Sequence, residues 1–60
     1  MENSGSYVIV ESMIRQNKIV LSELEQLVNS LTRRGLISTK EQQSLLLLAR
    51  KVLPKYLSDA

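Results

Sequence analysis

Side chains able to perform acid–base or nucleophilic chemistry are few in this chain of 60 residues, which has six carboxylates but neither a histidine nor a cysteine. Glu25 and Glu41 each follow a serine by three residues, which is the spacing of a helix-capping box. Glu2 and Asp59 lie beside the chain ends. General acid–base catalysis needs a cleft that shifts pKa values, and so short a chain rarely builds one. We therefore expect a protein that is not an enzyme, with no catalytic residue, metal site, cofactor or small-molecule substrate.

A second group of polar side chains suits nucleic acid better than catalysis. Basic and amide side chains can hydrogen-bond phosphates and base edges, and five of them flank one short segment: Arg33, Arg34, Lys40, Gln42 and Gln43. The net charge of +2 is small, however, and the chain has only two tyrosines and no other aromatic residue for base stacking. DNA binding by a small dimeric helix-turn-helix-like regulator is therefore the alternative function.

The best-defined predicted element is a helix over Ser22–Arg34. Ser22 and Glu25 have capping-box spacing, and the two arginines at the end complement the negative end of the helix dipole. Gly35 stands where a left-handed residue commonly closes a helix, so we predict a positive φ there. The apolar residues of this helix form one stripe: Leu24, Leu27, Val28 and Leu31.

A further helix is predicted over Ser38–Leu53. It begins with a second capping box, formed by Ser38 and Glu41, and should stop before Pro54, which has no amide proton and disfavours helical geometry at the preceding residue. Because the link between the two helices is short, we expect them to form an antiparallel hairpin.

The N-terminal segment Ser6–Asn17 is ambiguous, because Tyr7–Val10 is rich in residues that favour strands. The spacing of Val10, Met13 and Ile14 is nevertheless helical, and a single strand would have no partner in this chain. We predict a helix, capped by Ser4 or Ser6, that packs on the hairpin through those three residues. We expect the connection Lys18–Leu21 to place its apolar residues in the core, and the chain to form one domain over residues 6–57, with a disordered tail at 1–5 and a frayed end at 58–60.

Four consecutive leucines, Leu45–Leu48, point around most of a helix at about 100° per residue. We expect Leu45, Leu48, Ala49 and Val52 to face the first hairpin helix. A chain of this length buries only about 60% of its unfolded surface, so we expect oligomerisation, most simply a homodimer, to complete an all-α three-helix fold. A three-helix monomer that leaves Leu47 exposed is the alternative. The predicted interface consists of Leu46, Leu47, Leu53, Tyr56 and Leu57.

Leu24–Glu41, with its pattern Leu-x-x-Leu followed by Arg-Gly-Leu-Ile-Ser-x-x-Glu, resembles the short helical hairpins of bacterial and phage proteins. The short C-terminal hairpin module called SHOCT is one example. This chain departs from that module at Gln42, where the module usually has an aromatic residue. The resemblance implies a hairpin and no activity.

These observations together predict a small helical protein–protein interaction module, an adaptor or modulator of a partner protein. The compact helix caps and short links are in the style of bacterial and phage proteins. The longest apolar runs are far shorter than the roughly 20 residues that a membrane span requires, and no basic segment precedes Tyr7–Val10 as in a secretory signal. We therefore expect a cytoplasmic protein with no membrane partner, and a chain that starts at Met1 as a complete small gene product.

Overall fold

The computed structural model describes residues 4–53, which form three helices and no strand. The helices are α1 (Gly5–Arg15), α2 (Leu21–Arg33) and α3 (Thr39–Val52). The helix α3 packs against both α1 and α2. The predicted all-α, three-helix domain is thereby confirmed, while its completion by oligomerisation stays a prediction. None of the helices in this part of the chain is both long and apolar enough to cross a bilayer.

The first helix begins earlier than predicted. Ser4 is its N-cap, and the Ser4 hydroxyl accepts a hydrogen bond of 3.1 Å from the Tyr7 amide. Ser4 and Gly5, predicted to lie in a tail at 1–5, thus form the beginning of this helix, because capping satisfies an amide that the first turn leaves free. The predicted conformation of Ser6–Asn17 is confirmed as mainly helical. The helix ends at Arg15, with Gln16 as its C-cap, and Asn17 next to the cap adopts a φ of 56°.

The predicted capping box at Ser22 is wrong. The second helix begins at Leu21, its N-cap is Val20, and no side chain caps it. Val20 and Leu21 are both buried, so burial of this apolar connection fixes where the helix starts and places Ser22 inside the first turn. Glu25, freed from capping, instead lies 3.9 Å from Arg50 in an exposed ion pair between α2 and α3.

The link between α2 and α3 forms as predicted. Gly35 has a φ of 76°, and the amides of Gly35 and Leu36 donate to the carbonyls of Thr32 and Leu31, at 3.0 and 2.9 Å. These two bonds define a Schellman motif. The Ser38 capping box is also confirmed, since both of its reciprocal bonds with Glu41 are present.

Substituting Gly35 tests this turn. We expect Gly35→Ala to lower the free energy of unfolding by about 1 kcal/mol, because a Cβ is strained in the left-handed region. The added atom would meet nothing within 4 Å, so the cost is conformational and not steric. Gly5→Ala is the matched control: it is equally open but helical, and should be neutral or slightly stabilising. Urea denaturation of both variants checks this, and equal effects would contradict the assigned turn.

The core draws on all three helices. Ile14, Leu24, Val28 and Leu45 are its largest fully buried side chains, and the remaining members are Val10, Val20, Leu21, Ile37, Ala49 and Leu53. Packing of the first helix on the hairpin through Val10 and Ile14 is confirmed, with Met13 half-buried beside them.

The predicted orientations of two residues at the end of α3 are corrected. Val52, expected to face α2, is 41% exposed, whereas Leu53, expected at an outer interface, is only 6% exposed. The helix ends at Val52, and Leu53 has extended backbone angles (φ −96°, ψ 145°), as expected before a proline. Its side chain therefore does not follow the helical phase. Tyr56 and Leu57, and the predicted frayed end at 58–60, lie outside the described residues.

Candidate interaction surface

An apolar groove lies between α1 and α2. Both helices pack mainly on α3, and the space between them is lined by Ser6, Ile9, Val10, Met13, Leu27 and Leu31. None of these six residues is charged. Val10 is buried, whereas Ile9 is 63% exposed, the highest fraction among the exposed large apolar residues of the described chain.

Helical periodicity explains how the groove is built. Ile9 and Met13 are four residues apart on α1, and Leu27 and Leu31 are four residues apart on α2, so each pair lies on one face of its helix. Met13, Leu27 and Leu31 are half-buried, and Leu27 and Leu31 also pack against the core. The groove therefore has one apolar ridge on each side.

Two oppositely charged residues, Glu23 and Arg34, lie along α2 beyond the two groove leucines, one at each end. Glu23 precedes Leu27 by four residues and Arg34 follows Leu31 by three, so these four residues lie along one row of the helix surface. Arg34 retains helical backbone angles as the C-cap of α2. Both charged side chains are exposed, and neither takes part in the ion pairs found within residues 4–53.

The outer face of α3 offers much less apolar surface. Leu47 is 59% exposed and lies with Leu46 beside two polar neighbours, Gln43 and Arg50. Leu46 is half-buried against the core. Of the predicted interface residues, the structure thus brings Leu46 and Leu47 together on one surface and places Leu53 in the core.

The structure does not bring together all five residues considered for nucleic-acid contact. Arg33, Arg34 and Lys40 are exposed on either side of the turn between α2 and α3, at one end of the domain. Gln42 instead donates a hydrogen bond of 2.6 Å to the side-chain oxygen of Asn29, which ties α3 to α2. Gln43 is exposed next to Leu47.

Glu41 connects the starts of two helices. Its carboxylate accepts from the amide of Ser38 and from the amide of Ser4, both at 3.0 Å, and from the Ser4 hydroxyl at 3.4 Å. The bonds from the Ser38 and Ser4 amides hold the pKa of Glu41 below its ordinary value of 4.5. The carboxylate thus caps α3 and attaches the beginning of α1 to it. Sequence reasoning identified only the bond to Ser38.

We expect Glu41→Ala to lower the thermal midpoint at neutral pH, because two backbone amides lose their acceptor. A carboxylate with a lowered pKa in the folded state stabilises the fold above its ordinary pKa, and this contribution is lost as the pH falls through the lowered value. The difference between wild type and Glu41→Ala should therefore shrink below pH 4.5. Glu25→Gln, which removes a carboxylate held only in an exposed ion pair with Arg50, should lower the neutral-pH midpoint much less, because exposed ion pairs contribute little to stability. A constant difference at all pH values would contradict this role.

The described residues offer a binding surface between α1 and α2. Within residues 4–53, no three acidic, histidine or cysteine side chains lie close enough to hold a metal ion. The groove combines an exposed isoleucine, flexible methionine and leucine side chains, and charges near its two ends. Such a surface suits contact with another apolar surface. Comparisons of the chain with family models, with curated proteins and with solved structures found no match.

Proposed function

We propose that this chain is a small helical protein–protein interaction module that acts as an adaptor or modulator of a partner protein. The observation that carries the proposal is the apolar groove between α1 and α2, with its uncharged lining and exposed Ile9. Full burial of one such aliphatic side chain is worth about 1.5–3 kcal/mol. Covering Ile9 together with the half-buried ridges would therefore favour association.

The mode of contact that fits this surface is helix-in-groove docking. In that mode an amphipathic helix places apolar residues, spaced three and four positions apart, between two helices of the receptor. The apolar ridges of α1 and α2 would supply affinity. The exposed charges of Glu23 and Arg34 would set the orientation of the bound helix, because exposed charges contribute more to register and association rate than to affinity.

Leu47 is a weaker candidate for the main contact. It is exposed on α3, but Gln43 and Arg50 lie beside it, and single apolar side chains are common on solvated helix faces. The groove offers several contiguous apolar side chains, and we therefore assign it the principal contact.

A pair of matched variants tests the proposal. Ile9 and Val8 are adjacent on α1 and both are more than half exposed, but only Ile9 lines the groove. Affinity capture from extracts of the source cells should recover the same partner with wild type and with Val8→Asp, and should lose it with Ile9→Asp. Equal recovery with both variants, or equal loss, would contradict the assigned surface. Circular dichroism of each variant verifies that the helices are intact.

DNA binding remains a second candidate because Arg33, Arg34 and Lys40 are exposed at one end of the domain. Retention on heparin or duplex DNA at low and at moderate salt distinguishes the two functions. Phosphate contacts would make retention fall steeply as salt increases, and Arg33→Glu would weaken it. A protein-interaction module should be barely retained at either salt concentration.

A further inference from the structure

The α2 side of the groove is complementary to itself. Along one row of the helix surface stand an acid, two leucines and a base: Glu23, Leu27, Leu31 and Arg34. At about 100° per residue these four positions fall within about 80° of arc. The midpoint between Glu23 and Arg34 and the midpoint between the two leucines nearly coincide, around Val28 and Asn29. When a second copy of this helix runs in the opposite direction, the acid of each row therefore lies opposite the base of the other, and the leucines lie opposite leucines.

We infer that the groove is occupied by a second copy of this chain, with the two α2 helices packed antiparallel across a twofold axis. Each Glu23 then faces Arg34 of the partner subunit, and each Leu27 faces the partner subunit's Leu31. A twofold interface uses the same surface on both subunits, so one favourable pairing occurs twice. The inference rests on the proposed function in using the same groove, and it identifies the occupant.

The first helix completes this interface. Ile9 and Met13 form the opposite side of the groove, where they can cover the partner subunit's Leu27 and Leu31 while the partner's own α1 does the same in return. Stable interfaces bury about 800 Å² on each partner, which is roughly a sixth of the 4500 Å² surface of this chain.

Glu23 and Arg34 form no ion pair with each other or with other side chains within residues 4–53, so both can pair with a second copy. Glu11 and Glu25, the other exposed or half-exposed acids on α1 and α2, lie within 4 Å of Arg15 and Arg50 respectively. Glu23 and Arg34 take part in neither ion pair and stand on the row that carries the groove leucines. In a parallel arrangement of the two α2 helices, like charges would face each other at both ends, so the charge pattern favours the antiparallel register.

Charge reversal tests both the occupant and the register. Sedimentation equilibrium of the full chain at micromolar concentrations should show a dimer. Glu23→Arg or Arg34→Glu alone should weaken it about tenfold, because each change places like charges together at two symmetry-related positions. The double variant with both changes should regain wild-type association, since the introduced charges again face opposite ones. Arg33→Glu is the matched control: it makes the same charge change on the next residue, which is off the row, and should leave the dimer intact.

The possible outcomes separate this inference from the proposed function. The antiparallel α2 interface is supported if Ile9→Asp abolishes the dimer and the double charge reversal restores it. A monomer of 6.8 kDa at every concentration overturns self-association, whereas the capture experiment still decides whether the groove binds a different protein. A dimer that resists Ile9→Asp and both charge reversals, but is dissociated by Leu47→Glu, overturns the inference by placing the interface on α3.

Discussion

Replacing Leu45 by alanine is expected to lower the free energy of unfolding by about 2–5 kcal/mol, the usual cost of truncating a fully buried leucine. Leu45 is 0% exposed and lies on α3, the helix against which both others pack. Small domains are stable by only about 0.05–0.15 kcal/mol per residue. The variant should therefore lose much of its stability and have a far lower urea midpoint by far-UV circular dichroism.

Leu47→Ala is the matched control for this effect. It removes the same atoms from the same helix, but Leu47 is 59% exposed, and surface substitutions usually change stability by less than about 0.5 kcal/mol. Measuring both variants below the concentration at which the chain associates keeps any interface effect out of the comparison. If the two substitutions cost the same, α3 does not occupy the centre of the core.

Ile14→Ala should have an effect of similar size, again about 2–5 kcal/mol. Ile14 is 0% exposed and is the deepest contribution of α1 to the core. This variant tests whether α1 unfolds cooperatively with α2 and α3, or whether the α2–α3 hairpin is stable without it. We expect a single unfolding transition at a lower denaturant concentration, observed equally by circular dichroism and by tyrosine fluorescence.

Val8→Ala provides the corresponding control on α1. Val8 is 53% exposed and lines neither the groove nor the core, so its truncation should be nearly neutral, with alanine the better helix former. An Ile14→Ala variant that unfolds at the wild-type midpoint would mean that α1 is not docked as described.

The parts of the fold that depend on local chemistry could be predicted from the sequence. Ser38 with Glu41 and the positive φ of Gly35 follow from backbone rules that operate within a few residues. Ser22 has the same capping spacing as Ser38, yet the helix starts at Leu21. Burial of Val20 and Leu21 involves the whole domain, and a local capping preference of about 1 kcal/mol does not outweigh it.

The candidate surface could be predicted only in part, because periodicity assigns an apolar arc to each helix but does not say which arcs meet. The leucine run at 45–48 indicated excess apolar surface on α3. In the structure α3 contacts two helices and so covers most of that surface, including Leu46 and Leu48. The excess falls instead on Ile9, Met13, Leu27 and Leu31, where α1 and α2 leave a groove. Their spacing was visible in the sequence, but their juxtaposition was not.

The central claim is that the groove between α1 and α2, and not the outer face of α3, contacts a second copy of this chain. Amide chemical shifts followed by nuclear magnetic resonance as the protein is concentrated from micromolar to millimolar test this most directly. We expect the signals of the groove residues to shift together, namely Ile9, Met13, Leu27 and Leu31, while those of Gln43, Leu47 and Arg50 stay in place. Shifts confined to the residues around Leu47, or no shifts at any residue, would contradict it.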